Sequence, residues 1–175
     1  MQSIEQVVLV NQHDEQTGVM EKMEAHEKAL LHRAFSVFIF DSNNNMLLQQ
    51  RALTKYHSGG LFTNACCSHP RPNETVHAAA VRRLQEEMGF TTPITKAFDF
   101  IYKASFENGL TEHEFDHVYV GNYEGEIKAN PEEVESFCYI SLPDLEIDIQ
   151  QQPQKYTAWF LIAYPKLKAW LQHKQ

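Results

Sequence analysis

Cysteine is scarce in this sequence, and its distribution argues against a disulfide framework. The 175 residues contain three cysteines. Cys66 and Cys67 are neighbours that would form a strained ring if joined, and Cys138 stands alone. An odd cysteine count without a secretion signal is typical of reduced thiols. We therefore interpret all three cysteines as free.

Runs of basic residues and long apolar segments are also absent. The sequence has 15 Lys and Arg against 23 Asp and Glu, a net charge of −8. It offers no basic patch of the kind that nucleic acids or membrane surfaces require. The apolar run at 7–10 is too short for a signal peptide, and no segment has the roughly 20 apolar residues of a transmembrane helix. We expect a cytoplasmic protein with no nucleic-acid partner and no membrane partner.

Apolar periodicity predicts strands in the middle of the chain and helices around them. With 43% hydrophobic residues, residues 1–175 can form a single domain with a substantial core. One predicted helix is capped by Asn73 and ended by Gly89, and another follows Pro153 with a kink at Pro165. The fold class is therefore α+β, a mixed β-sheet sandwiched between helices. Alternating apolar segments predict strands at 7–10, 33–40, 46–51, 98–106, 114–123 and 137–142.

Three of the nine histidines lie in contexts that favour metal binding. His26 and His32 are six residues apart, which on a continuous helix is about 600° of rotation and places them on different faces. They could share an ion only if the segment is extended or breaks between them. Cys67 and His69 are two apart, so they point the same way from an extended chain. Each residue alone is more often an ordinary surface or core side chain.

Acidic residues in TEHEFD could complete such a site. Glu112 and Glu114 would share one face of a strand, with Asp116 next along it. Imidazole and carboxylate ligands suit Zn²⁺, Mn²⁺ or Fe²⁺. A non-catalytic alternative needs no carboxylate, because a four-ligand zinc site could be built from Cys67, His69, His26 and His32.

Residues 68–90 resemble the Nudix box, a motif of diphosphate hydrolases. Glu74, seven residues, Arg82 and later Gly89 stand at the matching distances. Ser68 replaces the first glycine of the box, and Arg83 replaces its central glutamate. Hydrolases of this kind use clustered carboxylates to hold Mg²⁺ and activate water, so the arginine weakens the cluster while offering a phosphate contact. A nucleoside-diphosphate hydrolase is therefore one alternative.

The same residues also have a structural interpretation. Arg82 with Glu86 and Arg83 with Glu87 could be i,i+4 pairs on a solvated helix. That interpretation leaves the spacing of the rest of the box unexplained.

Four longer motifs resemble the type I isopentenyl-diphosphate isomerases. LLHRAFSVFIF, TNACCSHP, AAVRRLQEEMG and TEHEFDHVYV occur in this order and at the family's separations. The resemblance runs from about residue 11 to residue 160. It implies a Nudix-like fold and the interconversion of isopentenyl diphosphate and dimethylallyl diphosphate, which supplies isoprenoid biosynthesis. It also implies an isoprenoid diphosphate as the small-molecule partner and a monomeric protein.

The resemblance implies a role for individual residues. Cys67 and Glu114 would be the two catalytic acid/base groups, on opposite faces of the double bond. Tyr102 would hydrogen-bond the catalytic carboxylate, and Trp159 would cover the hydrocarbon end. One divalent metal (Mn²⁺, Zn²⁺ or Mg²⁺) would be bound by His26, His32, His69, Glu112 and Glu114. Glu87 would help bind a Mg²⁺ that bridges the diphosphate, and the pocket for that group would be lined by Lys22, Arg51, Lys55, Ser68 and Arg83.

Such residue types suit the chemistry of moving a double bond. An alkene is a very weak base, so the transition state resembles a carbocation that water must not reach. The site needs two facing proton-transfer groups, an apolar enclosure and an anchor for the diphosphate. Cys67 can supply one group, whereas Cys66 has the opposite parity on an extended chain and should face the core.

Overall fold

The computed structural model describes residues 4–174, and the strands among them form one mixed sheet. Four α-helices and a short 3₁₀ turn at Pro153–Lys155 accompany the sheet. The strands are β1 (Gln6–Val10), β2 (Gln16–Glu21), β3 (His32–Phe40), β4 (Met46–Arg51), β5 (Phe62–Thr63), β6 (Cys66–Ser68), β7 (Ile94–Ser105), β8 (Thr111–Asn122) and β9 (Val134–Ile140). The helices are α1 (Lys22–Glu27), α2 (Val76–Met88), α3 (Leu142–Gln151) and α4 (Ala158–His173).

Strand β3 is the centre of the fold. It runs parallel to β8 and antiparallel to β1, β4 and β6. Its registers place His32 opposite Glu114 on β8 and Ser36 opposite Cys67 on β6. Almost the whole strand is buried, as expected for a central strand covered on both faces. These registers bring three distant sequence motifs side by side.

Each face of the sheet carries a hydrophobic core. Phe35 and Val37 of β3 pack under α2 with Leu84, whereas Phe38 faces the other way and packs with Phe160 of α4. Because side chains alternate along a strand, the even-numbered residues of β3 share the α4 side of the sheet. The predicted sandwich of a mixed sheet between helices is confirmed, and α2 and α4 are its two covers.

The predicted N-cap of helix α2 is wrong. Thr75, and not Asn73, accepts the N–H of Ala78, and the helix begins at Val76. Asn73 instead has a positive φ of 68° in the preceding turn. The end is as predicted, because Gly89 adopts the left-handed conformation with φ 74°. A Cβ there would lie 2.3 Å from the carbonyl oxygen of Lys128, so glycine is required.

Several element boundaries also differ from the predictions. Strands β7 and β8 both begin earlier than expected, and the strand predicted at 137–142 is Val134–Ile140. Helix α3 was not predicted at all. It starts directly after that strand, with Ser141 as its N-cap. Helix α4 contains Pro165. Among the described residues, none of the helices is long and apolar enough to cross a membrane.

Candidate active site

Four residues from three separate motifs form a group that could hold a metal ion. His26 lies near the end of α1, His32 begins β3, His69 follows β6, and Glu114 lies on β8. One ligand atom from each lies within 4.8 Å of the others. The sequence predicts that His26 and His32 can share an ion only if the helix breaks between them. This is so, because α1 ends at residue 27 and the chain turns before His32. The imidazoles and the carboxylate are the ligand types of Zn²⁺ and Mn²⁺ sites.

Backbone carbonyls orient two of these imidazole rings. His26 Nδ1 lies 2.6 Å from the carbonyl oxygen of Lys22, and His32 Nδ1 lies 2.8 Å from that of Leu30. A nitrogen facing a carbonyl must carry the hydrogen, so Nε2 is the atom that each of these rings could present to an ion. His26 Nε2 is buried and has no hydrogen-bond partner. A divalent metal therefore fits this group.

The carboxylate of Glu114 connects the imidazoles to a tyrosine. Its Oε2 lies 2.6 Å from His69 Nε2 and 3.2 Å from His32 Nε2. Its Oε1 accepts a hydrogen bond from the Tyr102 hydroxyl. Burial alone would raise the pKa of Glu114, but the two histidines hold that pKa well below its ordinary value. Burial and the neighbouring carboxylates raise the pKa of Tyr102 well above its ordinary value. The tyrosine is therefore a protonated donor beside an ionised carboxylate.

Glu112, predicted as a fifth metal ligand, lies beside the four-residue group and outside it. Its Oε2 accepts a second contact from the Tyr102 hydroxyl at 2.8 Å. Its Oε1 lies 3.0 Å from His57 Nε2, a residue that sequence reasoning missed. His57 stacks on Phe106 with ring centres 4.3 Å apart and meets the edge of Trp159 at 5.7 Å. His57 lies in the loop before β5, where no periodic pattern could reveal it.

Cys66 and Cys67 point to opposite sides of the sheet, as their parity predicts. Cys66 is fully buried against α2, and its thiol donates to Glu87 Oε2 at 2.7 Å. Cys67 Sγ lies 3.0 Å from Asn64 Oδ1 and 3.5 Å from Ser36 Oγ. Burial, and next the carboxylate of Asp116, raise the pKa of the Cys67 thiol. Cys67 is not among the four ligands that lie together, and Glu114 is the fourth of them. The alternative prediction, a zinc site built from Cys67 and the three histidines, is therefore wrong in its fourth ligand.

A cavity of about 70 Å³ joins the thiol, the carboxylates and the cations. It opens beside a groove of about 850 Å³, and the lining residues common to both are Glu5, Lys22, Tyr56, Ser68, His69 and Arg83. His26 and His32 have no exposed surface and are not part of its lining. The predicted residues that line the cavity are Lys22, Arg51, Lys55, Cys67, Ser68, His69, Arg83, Glu87, Tyr102, Glu112, Glu114 and Trp159.

Most of the cations in this cavity are held by acidic partners. Lys55 Nζ lies 2.5 Å from Glu133 Oε2, and Lys22 pairs with Glu5. Arg83 lies 3.3 Å from Glu133 and 3.6 Å from Glu87. Glu5 and Glu133 were not predicted, because their positions near the cations depend on tertiary contacts. These ion pairs keep several positive charges close together in the absence of an anion.

The two adjacent arginines of helix α2 have different surroundings. Arg82 binds both carboxylate oxygens of Glu74 at 2.8 Å and also reaches Glu86 at 3.3 Å. The Nudix-box Glu74 is therefore part of an ion pair with Arg82. Arg83 contacts Glu86 at 2.7 Å but also lines the cavity. The predicted i,i+4 pairs exist, and Arg83 in addition lies in the cavity with the other cations.

Trp159 closes the cavity from the first turn of helix α4. The helix is capped by Thr157, and Trp159 is only 3% exposed. The guanidinium carbon of Arg51 lies 5.0 Å from the indole ring, and Phe106 meets the indole edge at 6.4 Å. Arg51 also donates to the carbonyl oxygen of His57 at 3.2 Å. An aromatic wall thus adjoins a buried cation.

Comparison with known proteins identifies the family of the sequence. A family model described as the NUDIX domain matches residues 30–160. Isopentenyl-diphosphate Delta-isomerase 2 of Aromatoleum aromaticum is 50% identical over 155 residues, which is 89% of this chain and 82% of that protein. Isopentenyl-diphosphate Delta-isomerase of Serratia proteamaculans is 47% identical over 165 residues, 94% of this chain and 92% of its own.

Solved structures share the fold at low sequence identity. DR0079 from Deinococcus radiodurans matches with a TM-score of 0.70 and 18% identity, over 85% of this chain and 90% of its own. The MutT protein from Methanosarcina mazei Go1 matches with a TM-score of 0.65 and 14% identity, over 83% and 96% of the two chains. These structures support a Nudix fold and carry no inference about substrate.

Proposed function

The chain belongs to the isopentenyl-diphosphate Delta-isomerase family and carries a NUDIX domain, and we propose that it interconverts isopentenyl diphosphate and dimethylallyl diphosphate. One observation supports this activity above all. The thiol of Cys67 and the carboxylate of Glu114 line the same small cavity as a group of cations. Two proton-transfer groups beside an anion anchor are what this reaction needs.

Cys67 and Glu114 act as the two proton-transfer groups. One of them gives a proton to the terminal carbon of the double bond, and the other removes a proton from the carbon beyond its inner end. The single O–H of Tyr102 lies within hydrogen-bond distance of both Glu112 and Glu114, so it can donate to either carboxylate, orient it and pass a proton along the pair. Positioned acid–base groups of this kind contribute roughly 10²–10⁴-fold to rate.

The histidine group would hold a divalent ion (Mn²⁺, Zn²⁺ or Mg²⁺) in the active protein. His26, His32, His69 and Glu114 would hold it, with Glu112 adjacent. When bound, the ion supplies positive charge that fixes the carboxylate and strengthens its hydrogen-bonded partner as an acid. Glu87 would help hold a Mg²⁺ that arrives with the diphosphate. The unpartnered Nε2 of His26 is the observation that supports the histidine site.

The diphosphate and the hydrocarbon occupy different parts of the cavity. Arg51, Arg83, the nearby lysines and Ser68 bind the diphosphate, which replaces the acidic partners of Arg83, Lys22 and Lys55. Trp159 covers the hydrocarbon and keeps water out. An indole face next to a developing tertiary cation contributes about 2 kcal/mol or more when desolvated. We also propose a cytoplasmic monomer whose small-molecule partner is the isoprenoid diphosphate.

A Nudix hydrolase is the second candidate, and one observation weighs against it. Arg83 stands where the box has its central carboxylate, and it faces the cavity. The experiment incubates the protein with isopentenyl diphosphate and Mg²⁺ and follows proton and phosphorus NMR together. We expect dimethylallyl product with its diphosphate intact. Release of inorganic phosphate or diphosphate without isomerisation would favour the hydrolase and contradict the proposal.

A further inference from the structure

Asn64 is a fully buried amide whose orientation is fixed by the backbone. It lies between β5 and β6 and has no exposed surface. Its Nδ2 donates to the carbonyl oxygens of Val37 at 2.9 Å and Cys66 at 3.1 Å. An amide nitrogen only donates and these carbonyls only accept, so the two contacts decide which end of the amide faces the site. The end that faces Cys67 is the carbonyl oxygen.

That oxygen has two donors. Thr63 Oγ1 donates to Asn64 Oδ1 at 2.8 Å, and Cys67 Sγ lies 3.0 Å from the same atom. An amide oxygen accepts about two hydrogen bonds, so the hydroxyl and the thiol fill it. The other polar neighbour of the sulfur is Ser36, whose hydroxyl donates its own hydrogen to Asp116 at 2.7 Å and so can only accept from the thiol. At 3.5 Å its oxygen is the more distant of the two acceptors, since Asn64 Oδ1 lies 3.0 Å from the sulfur. The S–H hydrogen of Cys67 is therefore directed at Asn64.

We infer that Asn64 is a positioning residue of the isomerase, because its carbonyl oxygen holds the Cys67 sulfur in one rotamer beside the double bond of the substrate. The catalytic consequence rests on the proposed function, whereas the hydrogen bond itself does not. The thiol hydrogen can rotate about the Cβ–Sγ bond toward the substrate while the sulfur keeps its position. Misplacement of a reacting atom by about 1 Å can cost roughly 10²-fold in rate, so the hold should matter to turnover.

The kinetic test compares two buried amides. Gln49 is a matched control, since it is 2% exposed and donates to the carbonyl oxygen of Ala65 at 2.6 Å. Cys67 is not among its hydrogen-bond partners. We expect Asn64→Ala to lower kcat by roughly 10- to 100-fold per folded molecule, with KM for isopentenyl diphosphate unchanged. Gln49→Ala should lose stability and keep its kcat. Equal kcat values in the two variants would overturn the inference.

The spectroscopic test reads the hydrogen bond directly. The S–H stretching band of Cys67 is assigned by subtracting the Raman spectrum of Cys67→Ala. Asn64→Ala should move this band to higher frequency, because the acceptor is lost. Thr63→Val should move it to lower frequency, because the amide oxygen then serves the thiol alone. The band of Cys66, which donates to Glu87, should stay unchanged in both variants.

Each outcome of these measurements decides the inference. An unmoved Cys67 band in both variants would overturn it. If Asn64→Ala does not fold, the band in Thr63→Val decides alone, with a downward shift in support and no shift against. If the wild-type protein fails to isomerise its substrate, the proposed function is wrong, and the bands still tell whether Asn64 holds the thiol.

Discussion

The two ends of the cavity hold their charges in different ways. At the cation end, Lys55 and Arg83 pair with Glu133, and all three side chains keep roughly a fifth of their surface exposed. At the proton-transfer end, His26 and His32 have no exposed surface and Glu114 has about a twentieth. The first set of charges is therefore the more accessible to water and to a new anion.

This difference indicates which end is built for exchange. Ion pairs that keep some contact with solvent cost less to break than fully buried pairs, so a diphosphate can replace the carboxylates. A buried charge left without its partner costs about 3–5 kcal/mol, so the second end must keep its geometry. We expect changes at the proton-transfer end to reduce kcat and changes at the cation end to raise KM.

The largest effect should come from removing the thiol. Cys67→Ala should lower kcat by at least about 10³-fold, because one of the two proton-transfer groups is lost. Substrate affinity, measured by calorimetry, should stay near the wild-type value because the cations are untouched. Cys138→Ala is the control, since this cysteine is exposed on β9 and does not line the cavity. Near-normal turnover of Cys67→Ala would remove Cys67 from the mechanism.

A somewhat smaller effect should follow loss of one histidine. His26→Ala should weaken binding of Mn²⁺ or Zn²⁺ by more than about 100-fold, since a ligand is lost rather than its support. Atomic emission on dialysed protein measures the retained ion. His77→Ala is the control, because its ring contacts the carbonyl oxygen of Ile94 and not this group. Equal metal content in the two variants would argue against the histidine site.

A change at the cation end should act on binding. Arg83→Gln should raise KM by roughly 10-fold or more, the loss expected for one charge-assisted contact of 1.5–3 kcal/mol, and leave kcat nearly unchanged. The neighbouring Arg82 does not line the small cavity, so Arg82→Gln is the control and should keep the wild-type KM. A fall in kcat at constant KM in Arg83→Gln would erase the distinction between the two ends.

The smallest effect is expected outside the cavity. Glu74→Gln should cost about 1 kcal/mol of stability at pH 7 and leave turnover intact. The hydrogen bonds and charge of Arg82 lower the pKa of Glu74. Its contribution is therefore full above its ordinary pKa and is lost as pH falls through the lowered value in the folded state. Urea unfolding should show the two proteins converging below about pH 4; a constant gap would argue against the ion pair.

Sequence reasoning succeeded where one motif carries its own geometry. The parity of Cys66 and Cys67 predicted their opposite faces, and Gly89 predicted the end of α2. The alternation of Glu112 and Glu114 predicted one face, and both contact Tyr102. These features follow from local repeats of the backbone, so a single segment is enough to specify them.

Other features depend on contacts that no local pattern contains. Glu133 reaches Lys55 and Arg83 only because β9 pairs with β4. His57 lies in the loop 52–61 before β5, and Asn64 lies in the connection 64–65 after it; neither segment has a repeating pattern from which a role could be predicted. Thr75 and Asn73 are both good capping residues, so propensity alone could not choose between them.

The most direct test of a two-sided site is where solvent hydrogen enters the product. Isopentenyl diphosphate is converted in D₂O, and deuterium NMR locates the label. A substrate held in one orientation between two groups that exchange with solvent should give deuterium in only one of the two methyl groups of dimethylallyl diphosphate at early conversion. Label spread equally over both methyl groups would show that the cation is not held in place, and product without deuterium would show that one group carries the same hydrogen from carbon to carbon. Either result would contradict separate proton transfers by Cys67 and Glu114.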